Sequence, residues 1–257
     1  MENFEIGIIG GTGGIGRWFA DFFKKEGHAV HISGRETGMD IPTMAGECDV
    51  VIVSVPIGVT CEVIEQVGPH MREESLLMDF TSLKEEPVKS MLEHSASEVI
   101  GVHPLFGPDV DTLAGLNVAF CPVRTEKWGG WLKNILERNG ARIVETTPEK
   151  HDKMMAIVQG LNHLNTITLG MVLSEIGADL SELKKFTTPI FSTKIGVLKK
   201  IFGNNPRLYA EIITSNPDID KILNIYGKVL SELKGLIDKK DSQGLTEVIR
   251  GHTLKMD

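Results

Sequence analysis

The chain begins with a short apolar run, a glycine-rich loop and an amphipathic stretch, and this order limits the fold more than any other feature. Residues 5–9 are β-prone, residues 10–16 read Gly-Gly-Thr-Gly-Gly-Ile-Gly, and a helical pattern follows. Gly11, Gly13 and Gly16 supply the spacing G-x-G-x-x-G. Between a strand and a helix, this spacing allows a tight turn, close approach of the backbone to a pyrophosphate and close helix–strand packing. The segment therefore predicts a dinucleotide-binding site.

The end of the second expected strand indicates which dinucleotide binds. NAD-specific sites usually carry an acidic residue there, which holds the ribose 2′-hydroxyl. Here the strand ends in Ile32, Ser33, Gly34 and Arg35, and Glu36 follows only after the arginine. Ser33 and Arg35 are suited to a 2′-phosphate, so we expect NADP in preference to NAD. The expected cofactor contacts are Gly11, Thr12, Gly13, Gly14, Ile15, Gly16, Ser33, Arg35, Val55, Pro56 and Thr81.

Short β-rich runs alternate with helical stretches over the first 147 residues. The expected strands are residues 5–9, 29–33, 49–55, 76–79, 98–102, 117–122 and 141–145. Such alternation is typical of βαβ units and a mostly parallel sheet. We therefore expect residues 1–147 to form a doubly wound Rossmann domain, with residues 49–55 as a central strand because they are apolar on both faces.

From Pro148 onward the pattern is helical. The expected helices are residues 148–176, 181–202 with a kink near Pro189, 206–214, 218–237 and 241–252. Residues 148–257 are thus predicted to be an all-α domain, which gives the chain an α/β part followed by a helical part. The apolar stripes of these helices suit either an internal core or a subunit interface, and we expect a homodimer through this domain.

Composition and charge exclude several classes of protein. No apolar run approaches the ~20 residues of a membrane helix, and the N terminus lacks a signal-peptide pattern, so we expect a cytoplasmic protein without a membrane span. A net charge of -8 with dispersed lysines and arginines disfavours nucleic-acid binding. Cys48, Cys61 and Cys121 show no CxxC spacing, so neither a disulfide framework nor a metal site is expected.

His103 is the strongest candidate for catalysis. It lies in the segment Gly-Val-His-Pro-Leu-Phe-Gly-Pro-Asp, residues 101–109, at the end of an expected strand, where doubly wound sheets bind ligands. An imidazole with a pKa near ~6.5 can accept a proton from a hydroxyl while a hydride leaves the same carbon. The alternative is a structural histidine that caps a loop.

Several motifs in the same order resemble those of the prephenate dehydrogenase family. They are residues 10–19 (GGTGGIGRWF), 51–60 (VIVSVPIGVT), 78–84 (MDFTSLK), 102–109 (VHPLFGPD), 151–163 (HDKMMAIVQGLNH), 188–191 (TPIF) and 205–213 (NPRLYAEII). The resemblance implies oxidative decarboxylation of prephenate to 4-hydroxyphenylpyruvate, in tyrosine biosynthesis. It implies that His103 bonds the C4 hydroxyl, that Ser82 orients His103 or that hydroxyl, and that His163 binds substrate. Ser82 also fits a capping box at the next helix.

The first helix after Pro148 carries a polar stripe. Gln159, His163 and Thr166 fall on one face of a 3.6-residue wheel, so we expect all three to contact the substrate. The opposite face of the wheel carries Met154, Ile157, Leu161 and Leu164. His151 and Asp152 also match the family, although Asp152 at a helix N terminus favours the helix dipole in any case.

One position departs from the family pattern. The family carries an arginine that clamps a prephenate carboxylate, and the register here places Lys200 at that position. A lysine supplies charge without the bidentate fork of arginine, which leaves arogenate open as the substrate. Lys194, Lys199 and Arg207 lie near enough in sequence to share the role.

Two further interpretations stay open at this stage. A related 3-hydroxyacid or 6-phosphogluconate dehydrogenase would use a lysine base, for which Lys153 is the nearest candidate. A non-catalytic NADP-sensing protein would bind the cofactor without turnover. Because the chain starts at the first Rossmann strand and ends at Asp257, we expect no fused chorismate mutase or ACT domain.

Overall fold

The N-terminal half forms one sheet in the computed structural model, which describes residues 2–34, 38–203 and 205–252. Within these residues seven strands pair in the order β2-β1-β3-β4-β5-β6-β7. They are β1 (Glu5–Ile9), β2 (Ala29–Ser33), β3 (Val50–Val53), β4 (Leu76–Asp79), β5 (Glu98–Pro104), β6 (Asn117–Arg124) and β7 (Arg142–Glu145). Only β5 and β6 pair antiparallel. The mostly parallel Rossmann sheet predicted from the sequence is confirmed.

Helices cover both faces of this sheet. They are α1 (Gly14–Lys25), α2 (Ile41–Glu47), α3 (Ile57–Val67), α4 (Glu85–His94) and α5 (Trp128–Arg138). Val50 and Ile52 of β3 pack into one apolar cluster with α1 and α5, and Val51 and Val53 pack into the other with α2, α3 and α4. Since successive side chains of a strand point to opposite faces, β3 is buried on both, as predicted for a central strand.

The loop between β1 and α1 brings the helix N terminus to the carboxyl edge of the sheet. Gly10 has φ +82°, and a Cβ there would lie 2.2 Å from the carbonyl oxygen of Ser54. A Cβ on Gly16 would lie 2.5 Å from the carbonyl oxygen of Gly10. Side chains are excluded at both positions, so α1 starts directly above the junction of β1 and β3. Because β1 pairs with β2 on one side and β3 on the other, this junction is a topological switch point, where ligands bind.

The C-terminal half is helical, as predicted. Its helices are α6 (Pro148–Met155), α7 (Asn162–Glu175), α8 (Leu180–Leu183), α9 (Pro189–Gly203), α10 (Pro206–Thr214), α11 (Ile219–Asp238) and α12 (Ser242–Gly251). Thr147 caps α6, since its side chain accepts from the backbone N–H of Lys150 at 3.3 Å. No helix in the described part of the chain is both long enough and apolar enough to cross a membrane.

Two of the helix predictions need correction. The first helix was expected to be a continuous α-helix. In the structure, Ala156–Leu161 adopts π-helical winding between α6 and α7. The second, expected as one helix with a kink near Pro189, is interrupted: a 3-10 turn follows α8, and α9 begins only at Pro189. Proline disfavours the α conformation of the residue before it, so Thr188 lies outside the helix. The Thr188 hydroxyl accepts a hydrogen bond from the N–H of Phe191 at 3.2 Å.

A fully buried ion pair connects β4, the start of α4 and β5. The Lys84 ammonium group donates to the Asp79 carboxylate, and both side chains are fully buried. Lys84 Nζ also donates to the carbonyl oxygen of Val102 in β5 at 3.0 Å. Asp79 accepts in addition from the N–H of Thr81 at 3.0 Å. Removing one partner would leave a buried charge without its counter-ion. The free-energy cost of that change is far larger than the net stabilisation that the ion pair provides.

We predict that Lys84→Ala lowers the free energy of unfolding by about 3 to 5 kcal/mol, because Asp79 then stays buried without its cation. Lys89→Ala is the matched control: Lys89 lies exposed on the same helix, and its loss should change stability by less than about 0.5 kcal/mol. Urea denaturation of both variants measures the difference. Equal, small effects of the two substitutions would contradict the structural importance of the pair.

Candidate active site

A cleft of about 460 Å³ separates the carboxyl ends of the strands from the helical half. It brings together many of the side chains expected at the site. The predicted residues that line it are Gly14, Ile15, Val55, Pro56, Thr81, Ser82, His103, Gln159, His163 and Lys200. Segments far apart in sequence therefore converge where a ligand would contact both halves.

The remaining predicted residues lie beside the cleft or elsewhere. Gly11, Thr12, Gly13 and Gly16 belong to the loop and first turn below it, and Ser33 ends β2 next to that loop. The carbonyl of Ser33 accepts from the N–H of Gly10 at 2.8 Å, which ties the two strand ends together. Arg35, expected to hold a 2′-phosphate, lies outside the described residues.

The polar face expected from the helix wheel is formed in part, with Gln159 and His163 lining the cleft. Within the described chain Thr166 is not among the residues that line the cleft, and its hydroxyl donates to the carbonyl of Asn162 at 3.0 Å. Met154 and Ile157, on the opposite face of that wheel, are 40% and 46% exposed. A π turn bonds residues five apart, so it changes the angular relation between residues before and after it. The 3.6-residue wheel did not include this rewinding, which leaves the relation of His163 to Thr166 unchanged because both lie in α7.

His103 lies near the end of β5 and is only 4% exposed. Its Nδ1 is 3.0 Å from Nε2 of His151, and its Nε2 is 3.4 Å from the amide nitrogen of Gln159. Burial, followed by the charges of His151 and Lys84, lowers the pKa of His103 well below its usual 6.5. The imidazole is therefore neutral near pH 7 and is able to accept a proton.

His151 and Asp152 stand behind His103, away from the cleft, and sequence reasoning did not include them in the site. Nδ1 of His151 lies 2.7 Å from Oδ1 of Asp152. The Asp152 carboxylate also accepts from the backbone N–H groups of Lys84 at 2.8 Å and Glu85 at 2.9 Å, at the N terminus of α4. The sequence signal that could have indicated their role is the adjacent pair His151 and Asp152, near the start of a helix that faces the cleft.

This arrangement corrects the expectation for Ser82. The capping box is not formed, because α4 has no cap from Ser82 and is capped by Asp152 instead. Ser82 lines the cleft as expected. Among the described residues, however, the hydrogen bonds of His103 run to His151 and Gln159 rather than to Ser82.

Two buried polar atoms at the cleft have no protein partner within the described residues. They are Oε1 of Gln159 and Nδ1 of His163. The His163 ring packs edge-on against Tyr209, with centroids 4.9 Å apart. An unsatisfied buried group costs about 1 to 3 kcal/mol, so these atoms mark positions where a polar ligand would supply the partner. π segments frequently occur at such functional positions.

The cleft contains two cations from the helical half. Lys200 Nζ is 3.1 Å from an Asp109 carboxylate oxygen, and Arg207 Nε is 2.6 Å from Glu211 Oε1. Lys194, Lys199 and Lys153 are exposed and, in the part of the chain described, do not line this cleft. The candidates for an anion clamp are therefore Lys200 and Arg207, and the interpretation with a Lys153 base loses its support.

The start of α1 fits the pyrophosphate of a dinucleotide. This helix has no side-chain cap and no acidic residue in its first turn. Its first residues, Gly14 and Ile15, line the same cleft as His103. Unpaired N–H groups and the helix dipole favour an anion at this position. A dinucleotide held there would extend toward the strand ends that carry Val55 and Thr81.

A Rossmann sheet whose glycine loop faces a buried histidine across a cleft, completed by a helical half, defines the class of two-domain dinucleotide-dependent dehydrogenases. Residues 24–145 match the nucleotide-binding domain of prephenate dehydrogenase, and residues 147–251 match its dimerization domain. The chain belongs to the prephenate dehydrogenase family, as the motifs of the sequence predicted.

Curated relatives agree with this assignment, and a solved structure shares the fold. The chain is 39% identical to a probable arogenate/prephenate dehydrogenase of Methanocaldococcus jannaschii, over 96% of this chain and 60% of the relative. It is 32% identical to the T-protein of Haemophilus influenzae, over 95% and 64% respectively. It thus spans under two thirds of these relatives. The fold matches a prephenate dehydrogenase from A. aeolicus, in complex with hydroxyphenyl propionate and NAD+, with TM-score 0.76, 21% identity and coverage of 98% and 96%.

The lowered pKa of His103 predicts the pH dependence of activity. We expect the acid limb of kcat/KM to fall below pH 6.5, because the neutral imidazole persists to lower pH than in water. The unfolded chain binds more protons at this residue below about pH 6.5, so the free energy of unfolding should decrease as the pH falls. Rate and stability profiles check both statements, and an acid limb above pH 6.5 would contradict them.

Proposed function

We propose that this chain catalyses the NAD(P)-dependent oxidative decarboxylation of prephenate to 4-hydroxyphenylpyruvate, a step of tyrosine biosynthesis. The observation that carries the proposal is the neutral, buried imidazole of His103, whose Nε2 is directed to the cleft between the glycine loop and the helical half. A base at that position suits a substrate whose hydroxyl-bearing carbon is oxidised.

The chemistry follows from the position of this base. A nicotinamide cofactor, held by the glycine loop and the start of α1, would supply the acceptor for the hydride of the substrate's C4. His103 Nε2 holds the proton of the C4 hydroxyl as that oxygen becomes a carbonyl. The bond to the ring carboxylate then breaks, CO2 leaves, and its electron pair makes the ring aromatic. His103 returns the proton to the oxygen, which becomes the phenol of the product.

The other residues of the cleft bind and orient the substrate in this proposal. Ser82 and Gln159 flank the hydroxyl that His103 contacts, and His163 offers its unpaired Nδ1 to a polar group of the substrate. Lys200 holds a carboxylate, with Arg207 as the neighbouring cation. A point charge suits a carboxylate that leaves as CO2, because excess ground-state stabilisation would slow its loss.

Arogenate is a second candidate substrate, and one observation favours it. Glu211 lines the cleft beside Arg207, with only 17% of its side chain exposed. Arogenate carries an ammonium group in place of the keto group of prephenate. The Glu211 carboxylate suits this ammonium group, and the neighbouring Arg207 suits the carboxylate beside it. The M. jannaschii relative is named for both substrates.

NADP is the cofactor that we propose in preference to NAD. The support is the absence of an acidic residue up to Arg35 at the end of β2, together with the position of Ser33 next to the glycine loop. Steady-state assays with each cofactor measure the preference. A lower KM for NAD would overturn it.

We further propose a domain boundary between residues 147 and 148 and a homodimer formed by the helical half. The match to a dimerization domain supports this assembly. Many apolar side chains of that half are exposed in the single chain, which is unusual unless a partner covers them. They include Val158, Met171, Val172, Ile176, Phe186, Ile190, Phe202, Ile225, Leu230, Ile237 and Ile249.

Reduction of the cofactor, followed by NAD(P)H absorbance, tests the proposed activity with prephenate and arogenate. We predict that His103→Asn lowers kcat by about 10² to 10⁴ because a general base is lost, while the KM values stay close to those of the wild type. Lys153→Ala, on the exposed side of α6, serves as a control with unchanged kinetics. A wild-type enzyme without turnover on either substrate would refute the function.

A further prediction concerns Lys200, the cation proposed to bind a substrate carboxylate. Lys200→Ala should raise the KM for substrate about tenfold to a hundredfold, as expected for one lost charged hydrogen bond, with a smaller effect on kcat. The exposed neighbour Lys199 supplies the control variant Lys199→Ala. If Arg207→Ala raises KM while Lys200→Ala does not, the carboxylate is held by Arg207 and the sequence register is wrong.

A further inference from the structure

We infer that Asp152 and His151 are positioning residues that fix the tautomer of His103, so that its Nε2 lone pair, and not an N–H, faces the cleft. Their side chains form one hydrogen-bonded row, Asp152–His151–His103–Gln159. His103, His151 and Asp152 are 4%, 2% and 1% exposed, so protein groups rather than water set the protons in this row.

The row starts at a carboxylate that accepts hydrogen bonds only. Asp152 receives two backbone N–H groups, one on each oxygen, at the N terminus of α4. Its backbone position is held too, because the Asn216 side-chain amide donates to its carbonyl oxygen at 2.9 Å. A carboxylate has no proton to donate, and this one lies at the positive end of the α4 dipole.

Each following proton is determined by the one before. Since Asp152 Oδ1 only accepts, the proton of a neutral His151 must lie on Nδ1, which is 2.7 Å away. Nε2 of His151 then carries a lone pair, and it accepts from Nδ1–H of His103 at 3.0 Å. His103 is left with its lone pair on Nε2, which faces the amide nitrogen of Gln159 at 3.4 Å.

The opposite arrangement places lone pairs against each other. If His151 carried its proton on Nε2, its bare Nδ1 would face the Asp152 carboxylate at 2.7 Å. His103 would then carry its proton on Nε2, and that N–H would face the amide hydrogens of Gln159. Such a histidine donates to a substrate hydroxyl and is unable to take its proton.

The charged groups around the row preserve this pattern. Lys84 lies on the β5 side and disfavours a second cation on His103, and Asp79 neutralises Lys84. Glu85 begins α4, and Glu149 lies in the first turn of α6. His163 also lines the cleft, and burial lowers its pKa as well.

Ring ¹H–¹⁵N correlation spectra of the full chain, without ligands, test the tautomer directly. The difference between wild type and His103→Asn assigns the His103 signals, which we expect to show a proton on Nδ1. Asp152→Ala removes the acceptor of His151 Nδ1–H, so the His103 proton should no longer be held on Nδ1 and an Nε2–H signal should appear. An Asp152→Ala spectrum that shows His103 protonated on Nδ1 alone overturns the inference.

Kinetics connect the tautomer to the proposed function. Asp152→Ala should lower kcat by about tenfold or more, with KM changed far less, because the catalytic imidazole is no longer held in one tautomer. Lys153→Ala is the adjacent control, exposed and outside the cleft. Thermal melts show whether each variant is folded, because Asp152 also caps α4. A folded Asp152→Ala enzyme with wild-type kcat overturns the inference.

A pair of substitutions at His151 keeps the test independent of that cap. His151→Gln can accept from His103 with its oxygen and donate to Asp152 with its nitrogen, so it should preserve the His103 tautomer. His151→Leu can do neither. We expect His151→Gln to retain substantially more kcat than His151→Leu, and equal losses would overturn the inference. If the wild type turns over neither substrate, the proposed function fails, while the spectra still decide the tautomer.

Discussion

The Asp152 carboxylate is the contact on which the geometry of the cleft depends. It belongs to the first helix of the C-terminal half, yet it caps α4 of the Rossmann half through two backbone N–H groups. This contact holds α6 against the sheet, and the π segment and α7 continue from α6. The positions of Gln159 and His163 relative to His103 therefore depend on this cap. Its two hydrogen bonds join residues that are separated by 67 and 68 positions in the sequence.

Features set by local chemistry were predictable from the sequence. The glycine loop, the buried strand β3 and the location of His103 at a strand end each depend on a few neighbouring residues, and the structure places them as expected. The cap on α4 was not predictable, because Ser82 satisfied the local rule and a distant carboxylate took its place. The π winding was missed since helical periodicity assumes 3.6 residues per turn.

Charge in the cleft is arranged in pairs rather than as a free positive patch. The chain carries a net charge of -8, and Lys200 and Arg207 each contact an acidic side chain. An anionic substrate must therefore compete with Asp109 or Glu211 for its cation. Because these pairs are partly exposed, that competition is weak at ordinary ionic strength, and the selectivity of the cleft depends more on the buried polar atoms of Gln159 and His163.

The π segment also limits how the chain can change in evolution. A π turn is equivalent to one residue inserted into an α-helix, so deleting a residue within Ala156–Leu161 would restore regular winding. The deletion would rotate all of α7 by roughly 100° relative to α6, and His163 would leave the cleft while Asp152 stayed in place. Length changes should accumulate instead in the turn after α7, around Gly177, where the backbone leaves the helix and carries no residue of the cleft.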